Sequence, residues 1–204
     1  IFFAPNINFL ALSSNLKKVI TLHDLSFLLY PKFYSTKGRF WHKAVNVKKL
    51  VGQFDKIIAV SEHTRNDVME ILNVNGDKVE RIYPGVDSQF YNSISEEKKS
   101  SIHDKYNLPQ NYILSLAALE PRKNIEMVID AFEKFKYNSD IHLVLVGAEQ
   151  GSEQQIKRMV LDKKLEKRVH ILGYIPTEDK PTLYQLAKCF VYPSFYEGFG
   201  FPPL

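Results

Sequence analysis

Short apolar runs alternate with amphipathic stretches along almost the whole of this chain, and that alternation confines it to one class of fold. Residues 19–22, 56–60, 79–83, 112–117, 142–146, 169–172 and 189–192 are brief and mostly apolar. Runs of that length without polar alternation predict strands buried on both faces. The stretches between them space apolar residues three and four apart and predict helices over 36–54, 61–73, 124–136, 153–165 and 178–187. In the first of these, Phe40, Ala44, Val47, Val51 and Phe54 fall on one face. Ser61 is placed to cap the second, and Asn75-Gly76 to close it. Strands alternating with helices of this length imply βαβ units, right-handed crossovers and parallel sheets. The pattern lapses over 86–110, a polar stretch that carries Ser93, Ser95, Ser100 and Ser101, where a linker with a short helix over 96–106 is expected. The reading is therefore α/β: a first domain over 1–86, a linker over 87–110 and a second domain over 111–204. Each domain holds one parallel sheet, and a cleft is expected between them.

Composition narrows the partners. A net charge of +4 from 27 basic and 23 acidic residues is mild. It suits an anionic small molecule or a membrane surface and is too weak for a nucleic-acid partner. No apolar run approaches the roughly 20 residues of a membrane helix. The first residues lack the basic start and cleavage site of a signal peptide. Cys189 is the one cysteine, which excludes a disulfide framework; set in an apolar run, it reads as a buried structural thiol. A reducing cytoplasm is the simplest compartment.

Four stretches carry the chemistry. Glu120-Pro121-Arg122-Lys123-Asn124 lies between a strand and a helix, so two cations stand beside a helix N-terminus, an arrangement that binds anions. Arg122 can hold phosphate bidentately and Lys123 offers a movable point charge; a solvated charged loop is the plainer alternative. His23-Asp24 follows the strand 19–22, where ligand-facing residues of such sheets stand, although capping or packing explains a histidine there equally well. Gly147 and Gly173 end strands of the second domain, with Tyr174 next to one of them. Tyr196-Glu197-Gly198-Phe199-Gly200 follows the last strand, and its carboxylate and glycines sit at a strand's carboxyl end. The helix 36–54 reads as core-packed with a solvated cationic face. Its Lys37, Arg39, Lys43, Lys48 and Lys49 beside Phe40 and Trp41 leave an interfacial helix as the alternative. There is no Asp-x-Asp, no Cys/His cluster with zinc spacing and no early Gly-x-Gly-x-x-Gly.

These stretches together resemble glycosyltransferase family 4, the retaining nucleotide-sugar-dependent transferases of GT-B fold. The likeness runs from Ala4-Pro5-Asn6 to Pro203 and leans toward bacterial mannosyltransferases of surface polysaccharide. It implies two Rossmann-like domains, both incomplete here. It implies that Arg122 and Lys123 bind the donor diphosphate, and that Gly147, Gly173, Tyr174, Gly198, Phe199 and Gly200 border the donor sugar and nucleotide. His23 and Glu197 become active-site residues, with Asp24 on the acceptor side. Glu197 is the first glutamate of the family's Glu-x7-Glu signature; the second would fall at 205. Tyr83-Pro84-Gly85-Val86-Asp87 resembles the family's hinge.

The resemblance further implies a GDP- or UDP-linked sugar donor, a glycan or lipid-linked acceptor, no cofactor or metal, and contact with the inner face of a membrane from the cytoplasm. A sugar-nucleotide epimerase, a phosphorylase and a non-catalytic binding module are the alternatives. Without the second glutamate and the upstream glycine-rich loop, this 204-residue chain is expected to be inactive.

Overall fold

The computed structural model describes residues 1–10, 15–135 and 140–204, and these divide into two compact units. The first unit comprises Ile1–Gly85 with Tyr196–Gly200; the second comprises Val86–Phe195 with Phe201–Leu204.

In the first unit β1 (Phe2–Ala4), β2 (Lys18–Leu22), β3 (Lys56–Ala59) and β4 (Val79–Arg81) form a parallel sheet in chain order. Ile20 opposes Ile57 and Leu22 opposes Ala59, and all four are fully buried. Each buried Ile or Leu among them contributes about 1.5–3 kcal/mol of transfer free energy. β1 has no counterpart among the expected strands, because three residues stopped by Pro5 carry too little pattern.

After β2 come α1 (Ser26–Leu29), α2 (Thr36–Val45) and α3 (Val47–Val51), and after β3 comes α4 (Glu62–Ile71). The single helix expected over 36–54 is thus two helices. Asn46 sits between them at φ +48, in the left-handed region that Asn tolerates, and its side chain accepts from the Lys49 amide. The break shifts the helical phase. Val47, Val51 and Phe54 are buried as expected, whereas Phe40 is 75% exposed and no residue of α2 is buried. The core-packed reading therefore holds for α3, whereas α2 leans on the core only through half-buried residues such as Val45 and His42.

The second unit contains α5 (Glu96–Lys105), β5 (Tyr112–Leu116), α6 (Ile125–Lys134), β6 (His142–Val146), α7 (Glu153–Asp162), β7 (Val169–Gly173), α8 (Lys180–Leu186) and β8 (Cys189–Phe190). The expected end of α6 at Lys136 lies outside the described residues. All four strands are parallel, in the order β7-β6-β5-β8. β6 shows why its run is unbroken by polar residues. Leu143 and Leu145 join a core with Ile129, Phe132 and Ile156 from α6 and α7. Val144 and Val146, on the opposite face, join a core with Ile102 of α5 and Leu183 of α8. Both faces are covered, as a parallel sheet requires. Ile102 and Leu108 thus tie the end of the segment 87–110 to the second unit's core, and the segment is grouped with that unit.

Cys189 is exposed, contrary to the buried thiol expected. β8 pairs with β5 on one side only, so its other edge is uncovered among the described residues. There Cys189 lines an apolar groove with Met127, Phe135 and Pro193.

Candidate active site

In open parallel sheets ligands bind outside the carboxyl ends of the strands, where the strand order reverses. The second sheet has one reversal. The chain builds β5, β6 and β7 outward in one direction and then returns to lay β8 on the other side of β5. The loops leaving β5 and β8 therefore meet at the switch point, and they are stitched together. Phe195 N donates to the Arg122 carbonyl at 3.0 Å, Ser194 Oγ to the same carbonyl at 3.3 Å, and Asn124 Nδ2 to the Pro193 carbonyl at 3.2 Å.

Arg122 and Lys123 stand in that loop. Residues Pro121–Lys123 form a single 3₁₀ turn, and Asn124 at φ +58 redirects the backbone into α6. The turn removes the simple picture of two cations directly at the helix start. Instead Glu120 gathers them: Arg122 Nη2 donates to Glu120 Oε1 at 2.9 Å, and Lys123 Nζ lies 4.0 Å from the same oxygen. Lys123 Nζ also donates to the Tyr192 hydroxyl at 2.8 Å, across 69 positions of sequence. Both cationic side chains are largely buried, 14% and 11% exposed, so their charges are held in a low-dielectric, preorganised setting. Neither Glu120 nor Tyr192 was assigned a role from sequence. A carboxylate two residues before an Arg-Lys pair is a usable signal for the first; nothing local signals the second.

Gly147 and Gly173 also lie at carboxyl ends of the second sheet, joined by a hydrogen bond from Gly147 N to the Gly173 carbonyl at 2.9 Å. A β-carbon on Gly147 would stand 1.8 Å from the Ala117 carbonyl oxygen. Its missing side chain is thus required by the neighbouring loop. Gly173 has φ +72 and an open side-chain direction, and Tyr174 beside it is 69% exposed, with Lys180 Nζ 5.9 Å from its ring centre.

In the first unit, His23 leaves the end of β2 exposed to solvent. Its Nε2 lies 2.9 Å from the Pro5 carbonyl. A carbonyl only accepts, so Nε2 is the donor in this contact. Asp24 is committed locally: its Oδ1 accepts from the Ser26 amide at 2.8 Å and from the Ser26 hydroxyl, fastening the start of α1.

Tyr196–Gly200 packs on this unit. Gly198 lies so close to the end of β2 that a β-carbon on it would be 1.7 Å from the His23 carbonyl oxygen. Its own carbonyl accepts from Ser61 Oγ and from Thr64 Oγ1 at 3.2 Å. Ser61 also caps α4 as expected, accepting from Thr64 N at 3.0 Å. Its second task, across 137 positions, is not readable locally. Tyr196 is buried, donates to Asp67 and contacts the rings of Tyr30 and His63; burial, with the Asp67 carboxylate, pushes its hydroxyl far above its usual pKa. Half-buried Glu197 is thus held between two anchored residues. Phe199 meets the Tyr83 ring at 5.9 Å, and Gly200 turns the chain at φ +85. The structure therefore joins His23, Asp24 and residues 196–200 within one unit, and Arg122, Lys123, Gly147 and Gly173 at the sheet ends of the other.

Comparison with known proteins identifies the family and the fold. A family model described as Glycosyl transferases group 1 matches residues 95–204, and one described as Glycosyltransferase Family 4 matches residues 2–90. The serotype-specific mannosyltransferase WbdA of Escherichia coli is 33% identical over 193 residues, covering 92% of this chain and 24% of that protein. The O-antigen chain mannosyltransferase B of Escherichia coli is 31% identical over 191 residues, covering 92% of this chain and 50% of that protein. The chain thus spans half or less of the length of these relatives. Among solved structures, HepE of Anabaena in complex with UDP and glucose matches with a TM-score of 0.72 at 23% identity, over 90% of this chain and 48% of that one. Sucrose-phosphate synthase of Thermosynechococcus elongatus matches with a TM-score of 0.72 at 21% identity, over 92% of this chain and 47% of that one. At these identities the structural likeness is one of fold.

Proposed function

The chain belongs to the glycosyl transferases group 1 family and has its GT-B type of α/β fold, and from that premise we propose a specific reaction. The protein transfers a sugar, mannose being the first to test, from a nucleoside diphosphate to a hydroxyl of a glycan or lipid-linked acceptor. The anomeric configuration is retained, and the product is a surface polysaccharide. The observation that carries this reading is the Glu120–Asn124 loop at the switch point of the second sheet, with two largely buried cations fixed by one carboxylate.

The chemical difficulty is charge separation as the sugar C–O bond to the diphosphate breaks. Arg122 and Lys123 stabilise the charge that develops on the leaving phosphate, and because both are already oriented by Glu120, little reorganisation is needed at that moment. Gly147, Gly173 and Tyr174 border the nucleotide. In the first unit Glu197 and His23 hold the sugar hydroxyls in reactive orientation, with Gly198, Phe199 and Gly200 supplying backbone beside the sugar and Asp24 facing the acceptor through the start of α1. The acceptor oxygen forms the new C–O bond on the face the phosphate leaves, and its proton passes to a phosphate oxygen. No covalent intermediate on Glu197 is required, and the leaving-group charge is assigned to the two side chains and not to a metal.

The support for mannose and for surface polysaccharide is the similarity to WbdA and to O-antigen chain mannosyltransferase B. The test is turnover by the protein expressed from its complete reading frame, with GDP-mannose and UDP-glucose as donors and an oligosaccharide acceptor. The expected product is a glycosylated acceptor whose anomeric configuration, read by NMR, matches the donor's, with turnover unchanged by a chelator. Free epimer or sugar phosphate without a glycosylated acceptor overturns the transferase reading; an inverted anomer overturns retention.

A further inference from the structure

Asp179 stands immediately before α8, where a carboxylate ordinarily caps a helix. It does not cap. Its backbone is already helical, at φ −94 and ψ −23, and its side chain makes no capping hydrogen bond. The carboxylate turns instead to α5. Its Oδ2 accepts from Lys105 Nζ at 2.7 Å and from the Tyr106 hydroxyl at 2.6 Å, across 74 and 73 positions of sequence. Asp179 is 6% exposed, so the charge these bonds satisfy is held largely out of water. A third bond runs between the same two segments: Lys98 Nζ donates to the Glu178 carbonyl at 3.3 Å.

What these bonds hold is the loop from Gly173 to Lys180, which leaves the carboxyl end of β7. Gly173, at φ +72, bends the chain out of the strand. Within the loop only Ile175 and Asp179 are buried. Ile175 joins the core that contains Ile102 of α5 and Leu183 of α8, and Asp179 bonds to α5 directly. The loop is therefore pinned at one apolar and one ionic point. Tyr174 lies beside the first and Lys180 beside the second, and closing the loop brings the ammonium to 5.9 Å from the ring centre.

We propose that Asp179 is a positioning residue for the nucleotide: latched to Lys105 and Tyr106 of α5, it fixes the loop that presents Gly173 and Tyr174. The inference rests on the reading that these two residues border the nucleotide. A ring as exposed as Tyr174 has few contacts of its own, so its placement depends on the backbone that carries it. The missing cap of α8 fits this role, because local rules are broken where a site needs the geometry. The latch also gives α5, in a segment whose sequence reads as a linker, a task in the donor site. The diphosphate end has other supports: Arg122 and Lys123 are held by Glu120, and Lys123 also by Tyr192, on the loops leaving β5 and β8.

Calorimetric titration of the whole chain with UDP, with GDP and with inorganic pyrophosphate tests this. Asp179→Ala is expected to weaken nucleotide binding about tenfold and to leave pyrophosphate within about twofold of wild type. Asp179→Asn keeps an acceptor for Tyr106 and recovers part of the nucleotide affinity. Tyr106→Phe and Lys105→Gln give smaller losses of the same selective kind. Both residues lie on α5, outside the loop, so their effect reports the latch and not a contact between Asp179 and the ligand. Lys163→Gln, which breaks the ion pair to Glu133 elsewhere in the unit, leaves both affinities unchanged. Nucleotide affinity that survives in the latch variants, an equal loss for pyrophosphate, or a loss confined to the Asp179 substitutions overturns the positioning role and leaves the donor reading standing. A wild-type chain that binds no nucleotide overturns both. Circular dichroism of each variant separates a loosened loop from a lost fold.

Discussion

Gly198 and Gly147 show at the level of single residues how much of this site is backbone held against backbone. The family resemblance implies that both border the donor; the group that approaches each of them in the structure is the protein's own carbonyl. Alanine at either position drives a methyl into a carbonyl oxygen, at 1.7 Å for Gly198 and 1.8 Å for Gly147. Gly198→Ala and Gly147→Ala should each cost about 1–3 kcal/mol in urea unfolding. Gly85→Ala, where a β-carbon meets nothing within 4 Å, should stay within about 0.5 kcal/mol of wild type. Arg122 and Lys123 were legible because a five-residue motif contains them; Tyr192, which holds Lys123 from 69 positions away, was not.

Protonation is also decided residue by residue. His170 on β7 lies with its Nε2 2.9 Å from Nδ1 of His142 on β6, and burial, then the neighbouring imidazole, lower its pKa below 6.5. His42 is lowered too, by burial against the opposing pull of Asp24. A histidine with a depressed folded pKa takes up its proton more readily when unfolded. The stability is therefore complete above pH 6.5 and is lost as pH falls through the folded values. The unfolding midpoint should drop between neutral pH and about pH 5, and His170→Gln should flatten that slope; an unchanged slope in the variant would remove this pair as the cause.

At the scale of elements, the strands of the second sheet were readable because both faces of β5 and β6 are covered and their sequences have no polar period to confuse them. The helical segment 36–54 misled because its apolar spacing runs straight through a helix break at Asn46. Asn46 at φ +48 resets the phase, and periodicity alone carries no sign of a left-handed residue. Helix α4 shows the opposite case, a cap legible from sequence that does a second, distant task. Ser61→Ala removes the cap of α4 and a donor to the Gly198 carbonyl, and should cost about 1–2 kcal/mol. Ser61→Asp keeps a capping acceptor but sets a carboxylate against that carbonyl, so it should be the less stable of the two substitutions. If Asp instead restores wild-type stability, the cap alone explains Ser61 and its bond to Gly198 contributes nothing.

At the scale of the whole molecule, the α/β class followed from alternation, whereas strand order did not, because no local pattern says that the chain returns to place β8 beside β5. That return is what makes the loops after β5 and β8 meet. It sets the two cations of Glu-Pro-Arg-Lys-Asn, held by Glu120, at the switch point of the sheet. The central claim is that Arg122 and Lys123 bind the diphosphate of a nucleotide donor. Calorimetric titration of the chain with UDP and with GDP tests it most directly. The account predicts binding of at least one nucleotide, weakened about tenfold or more by Arg122→Gln and by Lys123→Gln, since a charge-assisted hydrogen bond is worth about 1.5–3 kcal/mol. Nucleotide binding that survives both substitutions in a folded chain would contradict it.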